Sequence, residues 1–217
     1  MSRLYIYCEG QTEFDFVKKM LVPFFESRDI YATPILAGDG YHGKKGGIAS
    51  YSQIKREIKK LCYEHSNEWV TTMIDYSPEI DLSLTYDQKG DMYDIARSKE
   101  RAIEDDLNLP NLLMNFELHE FEAYLYCNPD AFAIYDCKAP KKIEYIVRKH
   151  NGQPELINTN PNTLPSRRLD DVIPGYTKSK VYNTNQLLEN ISLEQIRSKC
   201  EHFDAWLERV CNNCKDR

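Results

Sequence analysis

The sequence has no apolar run near the roughly 20 residues that a membrane-spanning helix needs, so a membrane protein is not expected. Its first residues alternate like a strand and lack the apolar stretch of a secretory signal, which predicts a soluble cytoplasmic protein. The seven cysteines are odd in number and scattered, and this pattern indicates reduced thiols rather than a disulfide framework. We find neither an internal repeat nor a low-complexity segment, so repeat arrays are not expected.

The chain also lacks an excess of positive charge. Its 217 residues carry 28 Lys+Arg against 34 Asp+Glu, a net charge of -6, which argues against passive coating of DNA or anionic membranes. The charge is unevenly divided, because residues 1–127 carry a net -8, residues 128–217 a net +2 and residues 138–180 a net +5. An acidic core beside a basic flank suits a metal site next to phosphate ligands, although a dimer or partner interface would use the same asymmetry.

Hydrophobic periodicity predicts strands that alternate with amphipathic helices. The strands are expected at residues 3–8, 30–37, 69–76 and 111–118. This alternation indicates an α/β fold with a mainly parallel sheet flanked by helices. After Pro129 the pattern becomes helical and rich in loops. We therefore predict an α/β core over residues 1–127 and a helical extension, packed on that core, over residues 128–217.

Acidic residues follow the predicted strands, where open parallel sheets place functional groups. Glu9 comes directly after the first strand and precedes a helix beginning near Gly10, and Asp75 closes the third strand. Asp75, with Glu79 and Asp81 close by in the sequence, would supply the hard oxygen ligands that Mg²⁺ prefers alongside water and substrate phosphate. A simple turn at Glu9 and a solvated acidic loop around Asp81 remain open alternatives.

A second acidic group lies in residues 115–126, where Glu117, His119, Glu120 and Glu122 are interspersed with apolar residues. A helix that begins near His119 would let Glu120 project toward the sheet edge. A core histidine satisfied by a carboxylate explains His119 equally well. Zinc is less expected, because the segment lacks the two-histidine spacing of H-E-x-x-H.

A basic segment at residues 166–180 supplies candidate phosphate ligands. They are Arg167, Arg168, Lys178 and Lys180. Arginine offers a bidentate fork and lysine a point charge to a phosphate. A salt-bridged surface that includes Asp170 and Asp171 is the competing interpretation. The glycine-rich stretch at residues 38–47 has neither a Walker pattern nor G-x-G-x-x-G, so a P-loop nucleotidase is not expected.

Four blocks of sequence occur in an order that is typical of one family. They are YCEGQTE at residues 7–13, TTMIDYSPEID at 71–81, ELHEFEAYLYCNPDAF at 117–132 and TLPSRRLDDVIPGYTKSK at 163–180. These blocks resemble a prokaryotic Toprim-like family that is catalogued as domain-of-unknown-function family 4276. The match covers most of the chain.

The resemblance implies a Toprim-like α/β fold and phosphodiester chemistry that depends on Mg²⁺ or Mn²⁺. By the same resemblance, Glu9 is expected to act as general base or metal ligand and Asp75 as metal ligand. The adjacent D-x-D of Toprim domains is absent here, so Asp81 is expected to supply the second acid. We expect Glu120 with His119 to complete or orient the acidic site as catalytic residues.

The basic segment and the partners complete the expected function. Arg167, Arg168, Lys178 and Lys180 are expected to bind the substrate phosphate, with Lys178 also placed among the catalytic residues. Toprim-like nucleases of this kind often act beside an ABC- or AAA-type ATPase in phage defence, and they cut DNA or tRNA. The missing D-x-D leaves a second hypothesis open, a non-catalytic module that docks on and regulates a partner ATPase; a homo-oligomer is compatible with either.

Overall fold

The computed structural model describes residues 2–38, 47–48, 50–76, 82–158 and 163–215. Asp81 and most of the glycine-rich stretch lie outside these residues. The chain divides into two compact units, the first made of residues 1–116 and 206–217 and the second of residues 117–205. The predicted boundary after residue 127 stays a prediction.

The bounds of the elements follow the chain. The strands are β1 (Ser2–Cys8), β2 (Ile30–Leu36), β3 (Trp69–Asp75), β4 (Leu112–Leu113) and β5 (Phe116–Glu117). The α-helices are α1 (Gln11–Phe16), α2 (Val22–Glu26), α3 (Tyr51–Glu64), α4 (Met92–Leu107), α5 (Ala139–Lys149), α6 (Pro165–Asp170), α7 (Lys180–Leu188), α8 (Leu193–Lys199) and α9 (Glu201–Lys215). A π-helical turn (Val17–Leu21) joins α1 to α2, and 3-10 segments occupy Phe121–Cys127, Pro129–Ile134, Pro154–Leu156 and Tyr176–Ser179. The division between the units falls inside β5 and inside α9.

The first unit is built on a mainly parallel sheet, which confirms the predicted α/β fold class. The strand order is β2-β1-β3-β4, and β5 also pairs with β3. The β1 strand runs parallel to both neighbours, so that Leu4 is in register with Ala32 on one side and Trp69 on the other. The chain therefore leaves β1 for β2 on one side and returns to β3 on the other, which makes a topological switch point between β1 and β3.

Burial explains why the central strands are so apolar. Leu4 and Ile6 of β1 and Met73 and Ile74 of β3 have no solvent exposure, as expected where helices cover both faces of a parallel sheet. The amphipathic α3 buries Ile54, Ile58 and Leu61 against this core and leaves its lysines at the surface. This packing holds the strand ends, and the side chains that follow them, in fixed positions.

The strand predicted over residues 111–118 is interrupted between β4 and β5. At the interruption the Thr72 hydroxyl accepts the Asn115 N–H at 2.9 Å and donates to the Asn115 carbonyl at 2.7 Å. A side chain of β3 thus replaces ladder hydrogen bonds that the backbone does not make at this point. The chain then returns to β3 as β5, which ends on Glu117.

The second unit consists of helices and 3-10 segments, as the loop-rich pattern after Pro129 predicts. Its core is aromatic, with Tyr124 packed against Phe203 at a ring-centroid distance of 4.8 Å. The sulfur atoms of Cys127 and Cys200, both buried, lie 3.4 Å apart in this core. Among the described residues of the whole chain, we find no helix with the length and apolar character needed to cross a membrane.

Candidate metal centre

Carboxylates gather at the edge of the sheet where the parallel strands end. Glu9 directly follows β1, Asp75 is the last residue of β3 and Glu117 is the last residue of β5. Glu13 joins them from the first turn of α1. Parallel strands all present their carboxyl ends at one edge, and ligands of open α/β sheets bind there at the switch point.

Three of these residues bring one carboxylate oxygen each within 4.8 Å of the others, and they are Glu13, Asp75 and Glu117. Glu13 is 3% exposed and Glu117 is fully buried, whereas Asp75 is half-buried. Negative charges this close repel one another, and a divalent cation between them would offset the repulsion. Carboxylate oxygens are the donors that hard cations such as Mg²⁺ and Mn²⁺ prefer, so this acidic triad can hold a divalent metal.

Glu9 connects β1 to the acidic triad. Its backbone N–H donates to the Met73 carbonyl at 3.0 Å, which extends the ladder between β1 and β3 by one residue. Its carboxylate then accepts the backbone N–H of Asp75 at 3.0 Å. Glu9 therefore fixes the end of β3 from which the Asp75 side chain departs, and the structure brings together these two residues of the predicted metal site.

Gly10 gives the Glu13 side chain room to fold back. Its φ of -139° is extended and open to any residue, so no backbone strain requires glycine. The constraint is spatial, because a Cβ added at Gly10 would lie 2.8 Å from a carboxylate oxygen of Glu13. The glycine of the EGQTE block thus permits the close approach of one triad member to the strand end.

A buried lysine lies beside the rings that flank the triad in sequence. Lys99 of α4 is 1% exposed, and its Nζ lies 4.5 Å from the ring centroid of Tyr76 and 5.1 Å from that of Phe116. These rings come directly after Asp75 and directly before Glu117. Burial lowers the pKa of Lys99 to about 8, so the amine remains mostly charged at neutral pH.

Sequence reasoning did not select two members of the triad as ligands. Glu13 ends the EGQTE block, and its spacing of four residues from Glu9, across a turn into a helix, was the available signal. Glu117 is the first acid of residues 117–122. The sequence alone does not distinguish it from Glu120 or Glu122, and the pairing of β5 with β3 is what does so. Asp81 lies outside the described residues, and its predicted role stays a prediction.

In the second unit, Glu120 accepts two hydrogen bonds from Ser166. Its two carboxylate oxygens receive the backbone N–H and the hydroxyl of Ser166, at 2.8 and 3.0 Å. Burial and the nearby Glu122 raise the pKa of Glu120 above its ordinary value. Glu120, which the sequence analysis predicts to be catalytic, therefore connects residues 119–122 to the start of α6.

Glu122 and Lys180 form an ion pair in the same unit. Glu122 is fully buried and meets the Lys180 Nζ at 2.9 Å. The Tyr176 hydroxyl donates to the same carboxylate at 3.2 Å and lies 2.6 Å from the Thr184 hydroxyl. Lys180, predicted as a phosphate ligand, thus has a carboxylate partner within the protein.

His119 is held in an unusual backbone conformation, with a φ of 69° in the left-handed region. Its Nδ1 lies 3.4 Å from the Asn158 amide nitrogen. Burial, helped by the charge of His150, lowers the pKa of His119 to about 4. The imidazole is therefore neutral at pH 7, where it can hydrogen-bond or accept a proton but has no proton to give as an imidazolium.

The remaining predicted phosphate ligands differ in exposure. Arg167 and Lys178 are exposed. Arg168 is half-buried, its Nε donates to the Thr163 carbonyl at 2.8 Å, and it lines a cavity of the second unit. No phosphate contact tests any of these three assignments, so each stays a prediction.

The chain belongs to the family described as domain of unknown function DUF4276, whose model matches residues 8–211. The match includes three of the four blocks that carried the resemblance and all of the first except Tyr7, so the predicted family is confirmed, while its Toprim-like character stays a prediction. No curated protein and no solved structure matches the chain.

Proposed function

We propose that this chain is a metal-dependent nuclease subunit that cleaves phosphodiester bonds in nucleic acid. The observation that carries the proposal is the acidic triad of Glu13, Asp75 and Glu117, placed at the carboxyl edge of a parallel sheet beside the β1/β3 switch point. Carboxylate sites at such edges suit phosphoryl chemistry, since a hard cation bound there also accepts phosphate oxygens. The triad also supplies acids where the expected D-x-D is missing.

Each residue of the edge has a proposed task. Glu13, Asp75 and Glu117 would hold Mg²⁺ or Mn²⁺, and Glu9 would orient Asp75 through the backbone N–H that it accepts. When bound, such an ion polarises a phosphoryl oxygen and lowers the pKa of a coordinated water. Glu9, half-buried beside the triad, is the candidate to accept a proton from the attacking water.

The finer parts of the proposal rest on the resemblance. Arg167, Arg168 and Lys178 would neutralise substrate phosphate, and His119 with Glu120 would support the chemistry from the second unit. DNA or tRNA would be the substrate, and an ABC- or AAA-type ATPase in phage defence would be the partner. What supports these roles is the order of the four sequence blocks and the basic character of residues 138–180.

A cleavage assay tests the proposal. DNA and tRNA are incubated with the full chain in Mg²⁺, in Mn²⁺ and in EDTA, and the variants are Glu13→Gln, Asp75→Asn and Glu117→Gln. We expect each variant to lose on the order of a hundredfold in cleavage rate, since each removes one charged ligand. The matched control is Asp105→Asn, which changes an exposed carboxylate of α4.

The assay has two informative failures. Cleavage that survives all three substitutions, or that continues in EDTA, would overturn the assignment of the site. An absence of Mg²⁺ binding by calorimetry, together with no cleavage of either substrate, would favour the non-catalytic regulatory module. That second candidate is favoured by the sequence that follows Asp75, where Tyr76 and Ser77 replace the usual D-x-D.

A further inference from the structure

The second unit contains a cavity of about 530 Å³ between α5 and the region of α6. Its α5 wall carries Lys141, Lys142, Tyr145 and Ile146, and its other wall carries Arg168, Asp171 and Val172. Lys141 and Tyr145 lie four positions apart, and so do Lys142 and Ile146. The four residues therefore share one face of the helix. Cavities of this volume are typical of sites for small organic ligands.

The charges of the cavity select an anion. Lys141, Lys142 and Arg168 oppose the single carboxylate of Asp171, so the lining carries an excess of two positive charges. The hydrogen bond from the Arg168 Nε to the Thr163 carbonyl fixes the plane of the guanidinium. Among the described residues, no hydrogen bond uses Nη1 or Nη2 of Arg168, and these two nitrogens match the paired oxygens of a phosphate.

The apolar part of the cavity favours a ligand that is larger than an inorganic anion. The Tyr145 side chain is 50% exposed, and the Lys149 Nζ lies 4.6 Å from its ring centroid. Ile146 and Val172 add aliphatic surface beside it. An exposed aromatic ring next to phosphate ligands is the arrangement that proteins use to stack a nucleic-acid base.

We propose that this cavity binds a nucleoside phosphate unit. Its phosphate would lie against Arg168 and the two lysines, and its base would stack on Tyr145. The unit would be either a free mononucleotide or one nucleotide of a single strand, because the two share this chemistry. The inference does not depend on cleavage at the acidic triad, and its test is run without divalent metal.

The experiment measures binding to the full chain in EDTA. The probes are AMP, inorganic phosphate and a short fluorescent single-stranded DNA oligonucleotide. The variants are Arg168→Gln, Lys142→Gln, Tyr145→Ala and Tyr145→Phe. Lys89→Gln and Tyr182→Ala, at exposed positions outside the cavity, are the matched controls.

We expect Arg168→Gln and Tyr145→Ala each to weaken binding of the organic probes at least about tenfold, while Tyr145→Phe and both controls bind normally. Lys142→Gln should weaken binding less, because it removes one of two adjacent charges. AMP that competes with the oligonucleotide identifies a mononucleotide site, and oligonucleotide binding that AMP does not displace identifies a strand site. Binding that matches the controls in every variant, or inorganic phosphate that binds as tightly as AMP, would overturn the proposal.

Discussion

The carboxylates of the acidic triad and those of residues 120–122 have opposite kinds of neighbours. At the edge of the sheet, oxygens of Glu13, Asp75 and Glu117 approach one another within 4.8 Å. In the second unit, Glu120 and Glu122 approach donors that the protein itself supplies. A buried acid alone therefore does not indicate a metal site. What separates the two groups is whether protein donors or other carboxylates surround the oxygens.

The largest expected effect concerns the internally paired group. Lys180→Met would leave the fully buried Glu122 without its cation, and we expect the free energy of unfolding to fall by about 4 kcal/mol. The measurement is urea denaturation of the full chain at pH 7. Lys178→Met, an exposed position two residues earlier, should change stability by less than about 0.5 kcal/mol.

A second substitution sharpens that result. Adding Glu122→Gln to Lys180→Met should recover part of the lost stability, because it removes the unpaired charge. If Lys180→Met is as stable as the wild type, then Glu122 does not depend on Lys180 for its burial. That result would contradict the contrast between the two groups of carboxylates.

The next largest effect is a pH dependence at His119, three residues before Glu122 in the sequence. Its pKa is about 4 in the folded chain and near 6.5 when unfolded, so the unfolded state binds more protons between these values. Stability should therefore fall as the pH drops from 6.5 to 4, by up to about 3 kcal/mol from this residue.

The matched variant is His119→Asn, because asparagine also tolerates a φ of 69°. Urea denaturation at several pH values between 4 and 7 measures both proteins. The wild type should lose stability toward acid more steeply than the variant. Parallel curves would contradict a neutral, buried His119.

The smallest expected effect lies in the acidic triad. Gly10→Ala places a Cβ 2.8 Å from a carboxylate oxygen of Glu13, which must then shift, and alanine fits the extended backbone at that position. We expect Mn²⁺ affinity by calorimetry to fall about tenfold through displacement of one ligand, with little change in the free energy of unfolding.

A double-mutant cycle isolates the cause. In a Glu13→Gln background, Gly10→Ala should cost no further affinity, because the group that it displaces is already removed. An equal additional loss there would mean that Gly10 acts on the metal through something other than Glu13.

Much of this architecture could be predicted from the sequence, because it follows from local patterns. Apolar runs placed β1, β2 and β3 within about one residue, and the rule for parallel sheets singled out Glu9 and Asp75 at their ends. The start of α4 at Met92 is harder to predict from the sequence, because a polar loop precedes it. Its capping residue Asp91 was the signal that the composition of that loop obscured.

The remainder depends on contacts between residues that lie far apart in the chain. Glu117 joins Glu13 only because β5 pairs with β3 across more than 40 residues of sequence. The Glu122–Lys180 ion pair also joins residues that lie far apart in the chain. The same is true of Lys142 and Arg168, which line one cavity. Spacing along the sequence carries no information about such pairs. The sequence therefore predicts a single phosphate site in the basic segment, whereas its members have different surroundings in the structure.

The near contact of Cys127 and Cys200 has a consequence for the redox chemistry of the chain. Two thiols 3.4 Å apart are close enough to suggest a disulfide, yet complete burial raises the pKa of Cys200 well above its ordinary value. Because the thiolate is the species that reacts in disulfide exchange, burial makes this pair slow to oxidise. The aromatic core thus keeps both sulfur atoms as packing groups, and the second unit owes its cohesion to side-chain contacts rather than to a covalent link.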